Sequence, residues 1–288
     1  MMKQKPSAKA LAIPCGAAAL ALSAWTIWGN TALTVTPVTV SGRRIPAGFS
    51  GYRIAHLSDL HNAEFGKGNV KLLKLLAKTA PNIIVITGDL VDSRHTDLPV
   101  ALDFVREAAK IAPVYYVPGN HEARLDCYRR LRADLTAAGA TVLEDRMVPL
   151  TCGGDTVILA GLADPYFTIK NHPFRSASAI VRRRLRGMIG WESGYHILLS
   201  HRPDLFPDYV RCGVDLAFCG HAHGGQARLP FIGGIIAPDQ GLFPKYDAGL
   251  YTQGDCRMVV SRGIGNSLCP LRFNNRPEIV VARLQHQE

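Results

Sequence analysis

Ile83-Ile84-Val85-Ile86-Thr87-Gly88-Asp89-Leu90-Val91-Asp92 decides how this chain folds. A short apolar run rich in β-branched residues reads as a strand buried on both faces. A glycine then breaks the run in front of a carboxylate. Four other runs end in the same way. Arg53-Ile54-Ala55-His56-Leu57 leads into Ser58-Asp59-Leu60-His61, and Val114-Tyr115-Tyr116-Val117 leads into Pro118-Gly119-Asn120-His121-Glu122. His196-Ile197-Leu198-Leu199-Ser200 leads into His201-Arg202-Pro203, and the run Val214 to Cys219 leads into Gly220-His221-Ala222-His223-Gly224-Gly225-Gln226. Helix-like stretches at Lys71 to Lys78 and Val100 to Ile111 separate the first three runs. Such alternation predicts βαβ units in a layered α/β core. Folds of that class collect their functional groups beyond the carboxyl ends of the strands.

Asp59, His61, Asp89, Asn120, His201, His221 and His223 supply two carboxylates, one amide oxygen and four imidazoles. One histidine at a strand end is ordinarily a structural residue with a satisfied hydrogen bond. Motifs at five strand ends point instead to a metal centre. One ion takes about four to six ligands, so this many donors in one cleft imply two ions sharing a carboxylate. Mixed nitrogen and oxygen donors favour Mn, Fe or Zn over an all-oxygen Mg or Ca cage. No Gly-x-Ser-x-Gly elbow and no Walker-type loop is present, so the chemistry has no evident side-chain nucleophile.

The series Asp59-x-His61, Gly88-Asp89-x-x-Asp92, Gly119-Asn120-His121-Glu122, His201 and Gly220-His221-x-His223 resembles the calcineurin-like metallophosphoesterases in residue type and order. The likeness runs from about Arg53 to Leu284. His223-Gly224-Gly225-Gln226, Leu229-Pro230, Gly241-Leu242-Phe243-Pro244-Lys245-Tyr246 and Ser261-Arg262-Gly263-Ile264-Gly265-Asn266-Ser267 narrow it. They are similar to the bacterial membrane- or envelope-associated branch of YkuE/YaeI type, whose members are phosphodiesterases. Ala222 stands where that branch often has threonine. The resemblance implies two central mixed β-sheets flanked by helices. It implies that Asp59, His61, Asp89 and His223 surround one ion and that Asn120, His201 and His221 surround a second, with Asp89 bridging. His121 then approaches the leaving group, as proton donor or stabiliser, and Asp92 and Glu122 orient imidazoles. Two such ions acidify a shared water at neutral pH and offset charge on the phosphoryl group. The expected reaction is hydrolysis of a phosphodiester by metal-bound hydroxide, on a lipid-linked or cell-envelope substrate. A UDP-2,3-diacylglucosamine-type pyrophosphate hydrolase and a phosphomonoesterase are the alternatives, and a non-enzymatic membrane-surface module is the reading from another class.

The chain has 288 residues, 47% of them hydrophobic, enough for one catalytic domain over 51–288. Residues 1–32 read as a hydrophobic membrane anchor helix or signal-like segment and 33–50 as a linker and entry segment into the domain. Lys3, Lys5 and Lys9 precede an uncharged stretch from Ala10 to Gly42, with Trp25 and Trp28 where an interfacial belt would lie. A cleaved signal peptide, cut near Ala21 and Ser23, is the competing reading. The lysines keep the N-terminus inside, which predicts a single-pass protein of the cell membrane with an extracytoplasmic enzyme. Seven scattered cysteines without a Cys-x-x-Cys pair are expected to be mainly buried free thiols, which pulls the other way. The net charge of +10 comes with no nucleic-acid motif. Its densest cluster, Arg175 with Arg182, Arg183, Arg184 and Arg186, reads as a solvated helix face or an anionic-surface contact. The apolar residues between Pro230 and Gly254 read as ordinary packing or as a rim that admits a lipid-bearing substrate. A monomer is expected.

Overall fold

The computed structural model describes residues 8–189, 193–266 and 271–288. Lys3, Lys5, Ser267 and Cys269 lie outside the described residues. The buried runs become strands β1 (Thr34–Gly42), β2 (Arg53–Leu57), β3 (Ile83–Thr87), β4 (Val114–Val117) and β5 (Ala140–Val142), then β6 (Arg146–Cys152), β7 (Asp155–Gly161), β8 (His196–Leu199) and β9 (Leu216–Cys219). Two small hairpins follow, β10 (Arg228–Leu229) with β11 (Gly233–Gly234) and β12 (Ile236–Ala237) with β13 (Gly241–Leu242). The last strands are β14 (Gly249–Gln253), β15 (Cys256–Val260) and β16 (Glu278–His286).

One six-stranded sheet has the order β1-β16-β2-β3-β4-β5 and the other β14-β15-β9-β8-β7-β6. Both are mixed. β2 to β5 run parallel while β16 is antiparallel to β2. β7, β8, β9 and β15 run parallel between antiparallel edges. Alternation along β3 explains the layering. Ile83 and Val85 face the other sheet, in a core with Ile197, Leu199, Leu216 and Phe218. Ile84 and Ile86 face the helices α2 (Val70–Lys78), α3 (Leu98–Ala109) and α5 (Tyr128–Ala137). The outer face of the second sheet packs on α7 (Ala177–Met188) and α8 (Phe206–Arg211). Short helices α4 (Asn120–Arg124) and α6 (Tyr166–Ile169) sit over the strand ends. The result is a layered sandwich of two sheets between helices, as expected.

Two N-terminal expectations need correction. The stretch 33–50, read as a linker, supplies β1, which pairs along its whole length with β16. It tolerates Pro37 because it is an edge strand. Ahead of it, α1 (Ala8–Thr31) is a helix, but among the described residues no helix is long and apolar enough to cross a membrane. The end of α1 is docked on the domain. Asn30 donates to the carbonyl of Arg272 and accepts from its N–H, and the Arg276 guanidinium lies 4.6 Å from the Trp28 ring centroid. The arginine-rich helix is only partly a solvated face. Arg182 pairs with Asp208 and Arg184 with Asp145, while Arg183 and Arg186 stay exposed. Cys219 and Cys256 are buried free thiols, but Cys127 is exposed.

Candidate metal centre

Each ligand-type residue follows a strand. Asp59 and His61 come after β2, Asp89 after β3, Asn120 after β4, His201 after β8, and His221 and His223 after β9. The backbone has to turn sharply there to aim the side chains at one point. Asp59, His61, Asp89, His221 and His223 all have positive φ, between 45° and 64°. That region is sparsely populated for residues with a β-carbon, and strain of this kind clusters at functional sites. Glycines make the turns fit. A β-carbon on Gly119 would lie 2.2 Å from Asp89 Oδ1, and one on Gly220 would lie 1.8 Å from Ser58 Oγ and 2.5 Å from Asp59 Oδ2.

All seven predicted donors are buried. Asp59, His61 and His223 bring one ligand atom each within 4.8 Å of one another, and so do Asp89, His201 and His221. Asp89 Oδ2 faces both groups, 3.7 Å from His61 Nε2 and 3.2 Å from His201 Nε2. Asn120 Oδ1 is 3.1 Å from His201 Nε2. Backbone donors hold the carboxylates from behind: His221 N–H reaches both oxygens of Asp59 at 3.1 Å, and His121 N–H reaches Asp89 Oδ1 at 2.8 Å.

Protonation follows burial. Desolvation pushes His61 and His223 down to about 3 and His221 to about 4, so these rings are neutral lone-pair donors. Burial also opposes charge on His201, but the carboxylates around it, Asp89 first, raise it to about 10. Its Nδ1 lies 2.7 Å from the carbonyl of Thr87, which only an N–H can satisfy, so Nε2 faces Asp89 and Asn120. Neither ring nitrogen of His61, nor Nδ1 of His223, has a hydrogen-bond partner, although each is buried. An unpaired buried polar group costs roughly 1–3 kcal/mol. Buried imidazoles with free lone pairs beside buried carboxylates fit a set of cation ligands, and the donor types suit Mn, Fe or Zn.

A calcineurin-like phosphoesterase model matches residues 52–225, which contain all seven donors. The chain belongs to that family. It is 30% identical over 258 residues to the uncharacterized metallophosphoesterase YkuE of Bacillus subtilis, covering 88% of this chain and 86% of that one. It is 28% identical over 238 residues to the phosphodiesterase YaeI of Escherichia coli, covering 81% and 82%. The crystal structure of TT1561 of Thermus thermophilus superposes with a TM-score of 0.50 at 14% identity, over 74% of this chain and 90% of that one. The family is one of enzymes, and this chain is a metal-dependent phosphoric ester hydrolase.

Of the two residues expected to orient imidazoles in this calcineurin-like site, Asp92 lies against two of them, with Oδ2 3.9 Å from His61 Nδ1, while Glu122 does something else. Glu122 is the third residue of α4 and accepts the N–H groups of Gly119 and Asp89 at 2.8 Å and of Val91 at 3.2 Å. It braces the turns that carry Asp89 and Asn120, and burial followed by the charge of Asp89 raises it to about 7. Asp92 takes a two-pronged ion pair from Arg94, and its Oδ1 lies 3.5 Å from His121 Nδ1. That nitrogen instead accepts the N–H of Ser93 at 3.0 Å, so the ring proton sits on Nε2. Burial lowers the pKa of His121 against the pull of Asp89 and Asp92.

A cleft of about 250 Å³ opens over the donors, lined by His121, Arg124, Tyr166, Arg202, Pro238 and Asp239 among others. A larger cavity, about 410 Å³, lies near Arg44 and Tyr195, before β8, and carries no such donor group. Asp164 and Asp239 are absent from the sequence reading. Asp164 is buried and grips Arg202 through Nε at 2.6 Å. Asp239 bonds Arg202 and lies 2.8 Å from His221 Nε2, backing that ring on the side away from His201. Its signal was available: Asp239 is the only charged residue from Leu229 to Pro244.

Proposed function

We propose that this enzyme is a phosphodiesterase acting on a lipid-linked or envelope-polymer phosphodiester, from a membrane-tethered position outside the cytoplasm. The observation that carries the diester reading is how little free positive charge the cleft offers beside the metal donors. A phosphomonoester brings an extra negative charge, which a specific site would meet with added cations. Arg202 is neutralised by Asp164 and Asp239. Arg262 is paired with Glu278, outside the cleft. Arg124 remains, exposed and stacked 4.8 Å from the Tyr166 ring centroid. The tether is supported by the lysines ahead of the uncharged N-terminal stretch and by exposed Leu20, Leu22, Trp25, Ile27 and Trp28 on α1.

Asp59, His61, Asp89 and His223 would hold one divalent ion, and Asp89, Asn120, His201 and His221 a second. Such a pair supplies Lewis acidity, acidifying water and offsetting phosphoryl charge. The protein's own contribution is placement. Backbone N–H groups fix both carboxylates, and Thr87 fixes the His201 ring. His121 presents a neutral Nε2–H, suited to hydrogen-bonding the departing oxygen, and Arg124 with Tyr166 flanks the rest of the ester. The test is a comparison of substrates at matched Mn loading and pH. kcat/KM for bis(p-nitrophenyl) phosphate should exceed that for p-nitrophenyl phosphate, and a preference for the monoester would overturn the reading.

A further inference from the structure

The chain between the metal donor His223 and β14 exposes apolar side chains that packing would ordinarily hide. Phe231 is fully exposed at 108%, and Ile232, Ile236, Leu242 and Phe243 are each at least half exposed. Phe231 and Phe243 stand at turns with φ of 67° and 52°, a conformation that bulky residues avoid. The base beneath them is rigid. Asp247 takes the Gly234 N–H and the Arg228 guanidinium, and Gln240 clasps the Tyr246 backbone in both directions. Both phenyl rings stand outward from that base.

This apolar surface continues past the loop. Arg228 N–H bonds the carbonyl of Phe273, and Leu271 and Phe273 are also exposed. The same segment is tied to Asn30 at the end of α1, which carries exposed Trp25, Ile27 and Trp28. Hairpins, segment and helix end thus form one hydrogen-bonded series, with Pro238 and Asp239 of the loop lining the cleft.

We propose that this rim docks on a lipid bilayer with anionic headgroups, seating the metal cleft at the membrane surface. Single apolar side chains on stiff turns suit a fluid apolar phase, which moulds around them. Tryptophans where α1 meets the domain suit the headgroup level. Charge agrees: Lys245 and Arg124 are exposed at the margins, whereas the two acids of the loop, Asp239 and Asp247, are already engaged by arginines. The proposal rests on the phosphodiesterase reading only for what the bilayer would deliver to the cleft.

The test uses the full chain and vesicles of phosphatidylcholine with or without phosphatidylglycerol, with binding followed by flotation. The variant Phe231→Ser/Ile232→Ser/Phe243→Ser should bind anionic vesicles at least about tenfold more weakly than wild type. Its turnover of soluble bis(p-nitrophenyl) phosphate should stay within about twofold, which also shows that it folds. As an independent probe, the extra emission of Phe231→Trp over wild type should shift to the blue with anionic vesicles. Equal vesicle binding by wild type and triple variant would mean that α1 alone binds and would overturn the proposal. So would absent binding by wild type, an unshifted extra emission in Phe231→Trp, or a self-associated wild type that the triple variant makes monomeric at unchanged vesicle binding. Loss of vesicle binding in the variant with a blue shift in Phe231→Trp, while neither protein cleaves the diester and both melt at the same temperature, would support docking and sink the phosphodiesterase reading alone.

Discussion

Single residues divide sharply into those whose chemistry announces them and those whose partners do. The donors were legible because carboxylates, an amide and imidazoles at strand ends have few other reasons to be there. Asp164, and the use of Glu122 as a brace for three backbone N–H groups, were not, because each depends on which turn lies opposite in space. His56 is a third case. It is fully buried on β2, with Nε2 2.7 Å from Thr87 Oγ1 and no partner for Nδ1, and burial lowers it to about 3. The folded pKa is below the unfolded value of about 6.5, so the unfolded chain takes up a proton first as pH falls. The stability that His56 contributes is complete above about pH 6.5 and declines by up to about 1.4 kcal/mol per pH unit below it. In metal-free protein, the stability advantage of wild type over His56→Gln should shrink by about 2 kcal/mol between pH 6.5 and 5. Urea unfolding at both pH values in the presence of chelator measures it. A pH-independent difference would mean that the ring is charged inside the fold.

Elements show the same contrast. Strands that pack on both faces were visible as apolar runs, and α2 and α3 start within two residues of their expected positions. β1 was missed because it is an edge strand with a half-exposed, threonine-rich pattern and an internal proline. The hairpins β10 to β13 were missed because two-residue ladders carry no periodicity. The strand-end turns were visible as glycines, but their left-handed backbone was not. Gly220 tests how much the turn after β9 matters. In Gly220→Ala the new methyl would meet Ser58 Oγ and the Asp59 carboxylate, so Asp59, which faces His61 and His223, has to shift. The protein should still fold, at a cost of about 1–3 kcal/mol, but should bind one equivalent of metal instead of two. Elemental analysis after Mn loading decides it, and retention of two equivalents would show that Asp59 adjusts without loss.

At the scale of the molecule, the metal centre straddles two sheets. Asp59, His61, Asp89 and Asn120 hang from the first, and His201, His221 and His223 from the second. The halves meet in a shared core and through bonds such as His221 N–H to Asp59 and His201 to Thr87, and bound cations would add a further clamp. A ligand at a thousandfold over its Kd adds about 4 kcal/mol to the folded state. Mn-loaded protein should therefore melt on the order of 10 °C above protein stripped with chelator. Scanning calorimetry of both forms checks this, and coincident transitions would remove the clamp from the account.

The position of β16 has a consequence for how the molecule is made. The last strand of the chain lies between β1 and β2, parallel to one and antiparallel to the other. No earlier segment fills that slot, so until residues 278–286 leave the ribosome both neighbours present bare edges. Those edges would otherwise recruit strands from other chains. Synthesis is slow on the timescale of hairpin formation, so the first sheet waits, open, until residues 278–286 have been made. Connectivity of this kind leaves the first sheet divided until β16 slides between its neighbours, and makes that strand the latch that joins β1 to the parallel strands β2 to β5.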